Sequence, residues 1–201
     1  MNRRDLLKFS LAGSAGVVLT ASAHAADACA TDGTPAQFVP KRPADAAPQE
    51  GDIAKFPKCP YCGMDRKVFH HSRMLIQYSD DLPDATCSLH CVAISLSLNI
   101  DREPKHIWVG DNAAPGEAKP LVEVDDAIFL IGSRIKGVMT KRSKVAYSDV
   151  TVARATMAEQ GGELAKFDTA LLAAYTDMAQ DAAMVRKNRE ERRQRMMQKN
   201  G

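Results

Sequence analysis

The chain has 201 residues, 45% of them hydrophobic and 26% charged, with a formal net charge of +2. That length suits one domain or two small ones, and the apolar share is enough for a packed core. The near-balanced charge excludes nucleic acid or another polyanion as a partner, although basic residues do accumulate towards the C-terminus.

Residues 1–25 read as a twin-arginine-type signal peptide. Arg3-Arg4 opens a positive segment, a mildly apolar run extends from Phe9 to Ala21, and Ala23-His24-Ala25 forms a small-x-small cleavage site. The apolar run is shorter than the ~20 residues a spanning helix needs, so no stable membrane span is expected after cleavage. The expected compartment is the periplasm, where thiols meet an oxidising environment and need pairing or metal.

Residues 26–55 read as a Pro/Ala-rich linker, with Pro35, Pro40, Pro43 and Pro48 and no hydrophobic period. Cys29 stands alone within it. It reads as a stray thiol rather than a lipid anchor, since the leucine usual three places before an acylated cysteine is missing.

The folded part is expected from Phe56. Val68-Phe69 and then Met74-Leu75-Ile76-Gln77-Tyr78 have strand character, and Asp80-Asp81-Leu82-Pro83-Asp84 has turn chemistry. Ser88 is placed to cap a helix running through Val92, Ile94, Leu96 and Leu98 to Asn99. His106-Ile107-Trp108-Val109 reads as a strand and residues 111–120 as a loop. In the second half, Ala127-Ile128-Phe129-Leu130-Ile131 is a strand ended by Gly132, and Val138-Met139 falls in a second strand or its loop. Residues 147–160 read as a helix closed by Gly161-Gly162. Leu164-Ala165-Lys166-Phe167 is a short strand, after which Asp168 caps a long helix carrying Leu171, Leu172, Tyr175 and Met178 on one face. The fold class is therefore α+β, with two strand–strand–helix–strand halves, antiparallel or mixed sheets and a long C-terminal helix. Residues 56–178 form the domain. Residues 179–201, polar on every side, read as a solvated helix extension or tail, the alternative being a basic arm for a partner or membrane surface.

Chemistry concentrates in residues 59–91. Cys59-Pro60-Tyr61-Cys62-Gly63-Met64 and Cys87-Ser88-Leu89-His90-Cys91 hold four of the five cysteines. Three readings fit. Cys59-x2-Cys62 with Cys87-x3-Cys91 has the spacing of a four-thiolate structural zinc site. Cys59 and Cys62 alone have the form of a thiol–disulfide oxidoreductase pair. The third is a Cu(I) site that adds Met64, His90 and Met139, because thiolate and thioether are the soft donors that hold Cu(I).

The Cys59-Pro60-Tyr61-Cys62-Gly63-Met64 stretch resembles the C-x-x-C-G-M signature of the NosL family of nitrous oxide reductase accessory proteins. The resemblance continues through Thr86-Cys87-Ser88, Ile128-Phe129-Leu130-Ile131-Gly132-Ser133, Met139 and the helix ending at Gly161-Gly162. It implies an α+β fold of two related halves and a non-enzymatic periplasmic Cu(I) chaperone. The implied partner is the maturation machinery of that copper-dependent reductase, or another copper acceptor. Implied ligands are Cys59, Cys62, Met64, Cys87 and Met139, to which this chain adds His90 and Cys91.

Overall fold

The structure, a computed structural model, describes residues 39–200, so the expected signal peptide and Cys29 lie outside the described residues. The elements in order are α1 (Asp52–Lys55), β1 (Met74–Tyr78), β2 (Pro83–Thr86), α2 (Leu89–Leu98), β3 (Pro104–Gly110), β4 (Leu121–Glu123), β5 (Ile128–Ile131), β6 (Lys144–Tyr147), α3 (Val150–Gln160), β7 (Glu163–Ala165) and α4 (Phe167–Asn200). They form a four-stranded sheet of order β2-β1-β3-β4 and a three-stranded sheet of order β6-β5-β7.

The two halves share one plan. In each, the first strand is central and pairs antiparallel with the next strand and with the strand after the helix. Ile76 faces Asp84 and Ile107 across β1, and Leu130 faces Val145 and Leu164 across β5. The two-residue period of a strand splits its side chains between two faces. Met74, Ile76 and Tyr78 enter the main core, whereas Leu75 joins Phe56, Ala85 and Trp108 on the other side of the sheet. β5 alternates in the same way. Phe129 and Ile131 enter the main core, and Leu130 packs with Val145, Tyr147 and Ala153. The main core thus lies between the two halves, closed by Leu89, Val92 and Ala93 of α2 and by Ala170 and Ala174 of α4.

Several local expectations differ from the structure. Val68 and Phe69 are not in a strand. Residues 66–72 form successive turns, because the Asp65 carboxylate accepts from Lys67 N at 2.9 Å and Val68 N at 3.1 Å and holds the chain in an Asx turn. Pro83 and Asp84, read as turn, begin β2. Proline is tolerated there because β2 is an edge strand, where its missing N–H removes no ladder bond. Val138 and Met139 lie in a loop, and the strand that follows is β6. Tyr147 ends that strand, and α3 starts only after Asp149, whose side chain accepts from Thr151 N at 2.6 Å.

On α4, Leu172 and Tyr175 face solvent at 66% and 39% exposure, while Ala170, Leu171, Ala174 and Met178 pack inwards. The expected face holds for Leu171 and Met178 but not for Leu172 and Tyr175, because α4 fills the rest of its inward face with the small Ala170 and Ala174. Filling Ala170 or Ala174 would cost about 1–3 kcal/mol in overpacking.

Candidate metal centre

The first two cysteines sit on a tight loop. Lys58 and Asp65 bridge its base, Cys59 N donates to Met64 O at 2.9 Å, and Gly63 N donates back to Cys59 O at 2.9 Å. Closing this turn requires φ +75° at Gly63, a left-handed conformation that glycine adopts without a Cβ penalty. The loop is clamped by Arg66, which is fully buried. Its Nε donates to Thr86 O (3.0 Å), Nη1 to Phe56 O (2.8 Å) and Asp52 O (3.1 Å), and Nη2 to Met74 O (3.2 Å) and Asp52 Oδ2 (2.8 Å). Arg73 grips the same carboxylate from β1's approach, with Nε to Oδ2 at 2.9 Å and Nη2 to Oδ1 at 3.0 Å. One buried side chain thereby ties the base of the Cys59–Cys62 loop to the residue before Cys87.

The other two cysteines sit at the entrance of α2. Cys87 O accepts from Ser72 Oγ at 2.9 Å, and Cys91 N donates to Ser88 O at 3.0 Å. Cys87 precedes the extended N-cap Ser88 and Cys91 lies in the first turn of α2, so the short gap between them keeps their thiols close. The two segments meet so that all four sulfurs lie within 4.8 Å of one another. Cys62 Sγ is 3.3 Å from Cys87 Sγ and 3.9 Å from Cys91 Sγ, and Cys87 and Cys91 are 3.8 Å apart. Cys59, Cys87 and Cys91 are buried, and Cys62 is half-buried.

Met64 and Met139 pack against this cluster, as do Tyr61, Phe69 and Val138. Met139 is held in the left-handed region at φ +59°, which is strained for a residue with a Cβ. Its turn is tight, since a Cβ on Gly137 would stand 2.3 Å from Thr140 O. The turn is also tethered to α4, where Asp181 Oδ1 accepts from Lys141 N at 3.0 Å. His90 is not brought in. It lies one residue, about 100° of helix, from Cys91, and its Nδ1 stands 3.4 Å from Asp181 Oδ2 on α4.

Four close thiols cannot ionise independently. Cys59 is held far below the usual thiol range, because Cys62 first, then Cys87 and Cys91, donate to its sulfur against the cost of burial. Cys62 is also lowered. Its donation to Cys59 opposes ionisation, but the groups donating to it from Cys87 and Cys91 prevail. Cys87 and Cys91 are pushed up. Their protons serve the Cys59 thiolate first and Cys62 next, and burial adds to the effect. The cluster therefore favours a thiolate at Cys59 and resists ionisation at Cys87 and Cys91, and a cation among the sulfurs would offset the charge of further thiolates. This is the donor chemistry of a soft metal site.

A polar chain supports the loop from the other side. Tyr61 Oη and Ser95 Oγ both donate to Asp84 Oδ2, and Tyr78 Oη contacts Ser95 Oγ at 2.7 Å. Burial raises the Asp84 carboxyl to about 6 despite these two donors. Asp52, Arg66, Tyr61 and Asp84 were not singled out in the sequence. Their spacing carries no motif, and only an arginine within two residues of the cysteine loop hinted at a clamp.

The family model described as NosL matches residues 51–171. Among solved structures, the copper chaperone NosL from Shewanella denitrificans is similar to this chain at 24% identity, over 55% of this chain and 87% of that one, with a TM-score of 0.44. No curated protein matches the chain.

Proposed function

The chain belongs to the NosL family, and from that premise we propose that it is a non-enzymatic accessory protein that binds Cu(I) and passes it to a copper-dependent enzyme, such as nitrous oxide reductase, in the periplasm. The observation that carries this reading is the convergence of four sulfurs within 4.8 Å, with Met64 and Met139 packed against the apolar cluster that contains them. Thiolate and thioether are the donors that select Cu(I), and a thioether needs no deprotonation to bind. Cys59, Cys62 and Cys87, with Met64 and Met139, are the proposed Cu(I) ligands. Cys62, as the half-buried sulfur, is where an ion would be exchanged with a partner's ligand. No helix among the described residues is long and apolar enough to cross a membrane.

A dithiol oxidoreductase is the weaker reading. Cys62 has Cys87 as a sulfur neighbour at 3.3 Å, so the Cys59/Cys62 pair does not stand apart. Nor does Cys59 open a helix, the usual way such a thiolate is activated.

The test is an anaerobic titration of the reduced protein with Cu(I) against a chromogenic chelator. The protein should withdraw copper from the chelator, and Met64→Leu should weaken binding by about tenfold, or 1.4 kcal/mol. Loaded protein should then transfer copper to a metal-free cuproenzyme. A reduced wild-type protein that cannot outcompete a weak chelator overturns the proposal.

A further inference from the structure

The C-terminal part of α4 forms a basic arm that metal binding leaves unused. α4 runs antiparallel to α2. Tyr175 Oη meets Ser97 Oγ at 3.3 Å near the end of α2, and Asp181 stands 3.4 Å from His90 in its first turn. Asp181 also tethers the turn that carries Met139. It therefore sits at the end of the domain that holds the sulfur cluster, and it is the last buried residue of α4. From there the helix continues past that end. Lys199 lies about 27 Å beyond Asp181 at the 1.5 Å rise of a helix. Every side chain from Arg186 to Lys199 except Glu191 is exposed.

The charge of this arm is sorted by face. Residues 186–199 hold seven basic and two acidic side chains, a net of +5 in a chain whose total is +2. With about 100° between successive residues, Leu171, Ala174, Met178 and Asp181 share one arc of about 80°, the face that packs on the domain. The same arc continues through Val185, Arg189, Arg192, Met196 and Lys199 and meets no acid. Glu190 and Glu191 point away from it, about 180° and 80° from Asp181. Both already pair within the helix, Glu190 with Arg193 and Glu191 with Lys187 and Arg195. Arg189, Arg192 and Lys199 have no ion pair among the described residues. The face that holds α4 to the domain thus becomes, beyond the domain, a basic stripe overhanging the metal-bearing end. This arm lies beyond residues 51–171, the span that the family model matches.

We propose, on the premise that this chain delivers Cu(I), that the stripe of Arg189, Arg192 and Lys199 is a docking arm for an acidic surface on the protein that receives the ion. A partner ligand that takes copper from the half-buried Cys62 must come to the end of the domain past which the arm extends. Cations placed there speed encounter with an acidic partner, an effect of about 10–10³-fold that salt weakens. An anionic bilayer is the poorer fit. A helix lying in a membrane interface buries an apolar face rich in Trp, Phe or Leu, and this arc offers only Val185 and Met196 between its cations.

Transfer kinetics test this. Full-length protein loaded with Cu(I) is mixed with metal-free nitrous oxide reductase, and the second-order rate constant is read at low and at high sodium chloride. Two double variants change the net charge equally. Arg189→Gln with Arg192→Gln empties the stripe, whereas Gln194→Glu with Gln198→Glu acts on the opposite side of the helix. Gln and Glu are both good helix formers, so the arm should stay helical. Both variants should keep the wild-type Cu(I) affinity in the chelator competition. At low salt the stripe variant should transfer copper about tenfold more slowly, and the opposite-side variant at close to the wild-type rate. Arg189→Lys with Arg192→Lys should restore transfer. High salt should bring the wild type down to the rate of the stripe variant. Vesicles of phosphatidylethanolamine and phosphatidylglycerol should not retain the protein. Wild-type transfer by the stripe variant, or equal slowing in both variants, overturns the docking arm and leaves copper delivery standing. Vesicle retention that the stripe variant loses assigns the stripe to a membrane and overturns it as well. Loaded wild-type protein that transfers nothing at either salt overturns the delivery reading and, with it, the arm.

Discussion

Replacing Asp52 by asparagine should unfold this protein more readily than any surface change, although Asp52 touches no sulfur. Its carboxylate is the counter-ion to both Arg66 and Arg73 at 2.8–3.0 Å, and Asp52, Arg66 and Arg73 are 5%, 0% and 3% exposed. Asparagine keeps the shape but removes the charge, leaving two guanidiniums buried without compensation. Removing one partner of a buried ion pair costs about 3–5 kcal/mol, a large fraction of the 5–15 kcal/mol that holds a typical domain together. Lys58→Ala supplies the comparison. Its ion pair with Asp65 is 61% and 37% exposed, and such surface pairs contribute about 0–1 kcal/mol.

Urea denaturation of the metal-free reduced proteins, followed by circular dichroism, would give both values. The Arg66 clamp also sets how the Cys59–Cys62 loop meets Cys87. Folded Asp52→Asn protein should therefore bind Cu(I) more weakly than wild type, and the metal should recover less stability. An Asp52→Asn change within about 0.5 kcal/mol of wild type, the range of an ordinary surface substitution, would refute the reasoning.

Two further outcomes follow from the same geometry. Asp84 has its carboxyl raised to about 6 by burial. A raised acid stabilises the fold below its unfolded value near 4 and loses that contribution as pH rises through about 6. Stability of the wild type relative to Asp84→Asn should therefore fall between pH 4 and 7, by an amount on the order of 3 kcal/mol; a flat difference across that window contradicts the assignment. Gly137→Ala places a Cβ 2.3 Å from Thr140 O, so the turn carrying Met139 must open. Thermal melts should show a loss of about 1–3 kcal/mol, with weaker Cu(I) binding in the chelator competition. Unchanged copper affinity would detach Met139 from the site.

The sequence by itself determined the two central strands, the helix entrance and the sulfur chemistry, because each is written in short-range spacing. Apolar, β-branched and aromatic runs placed β1 and β5, and the short C-x-x-C and C-x-x-x-C spacings kept each pair of sulfurs close along the chain. Helical arithmetic on α2 alone could have separated His90 from Cys91, since adjacent helical residues point about 100° apart. What only the tertiary structure decided was everything joining residues far apart along the chain. The segment around Asp52 shows no hydrophobic period because it is held by charge rather than by an apolar face. The inward face of α4 combines Leu171 and Met178, which its periodicity marks, with Ala170 and Ala174, which it does not. The cysteine spacing suggests that the two sulfur pairs could meet, but it says nothing of the buried arginine and aspartate that hold both segments in place.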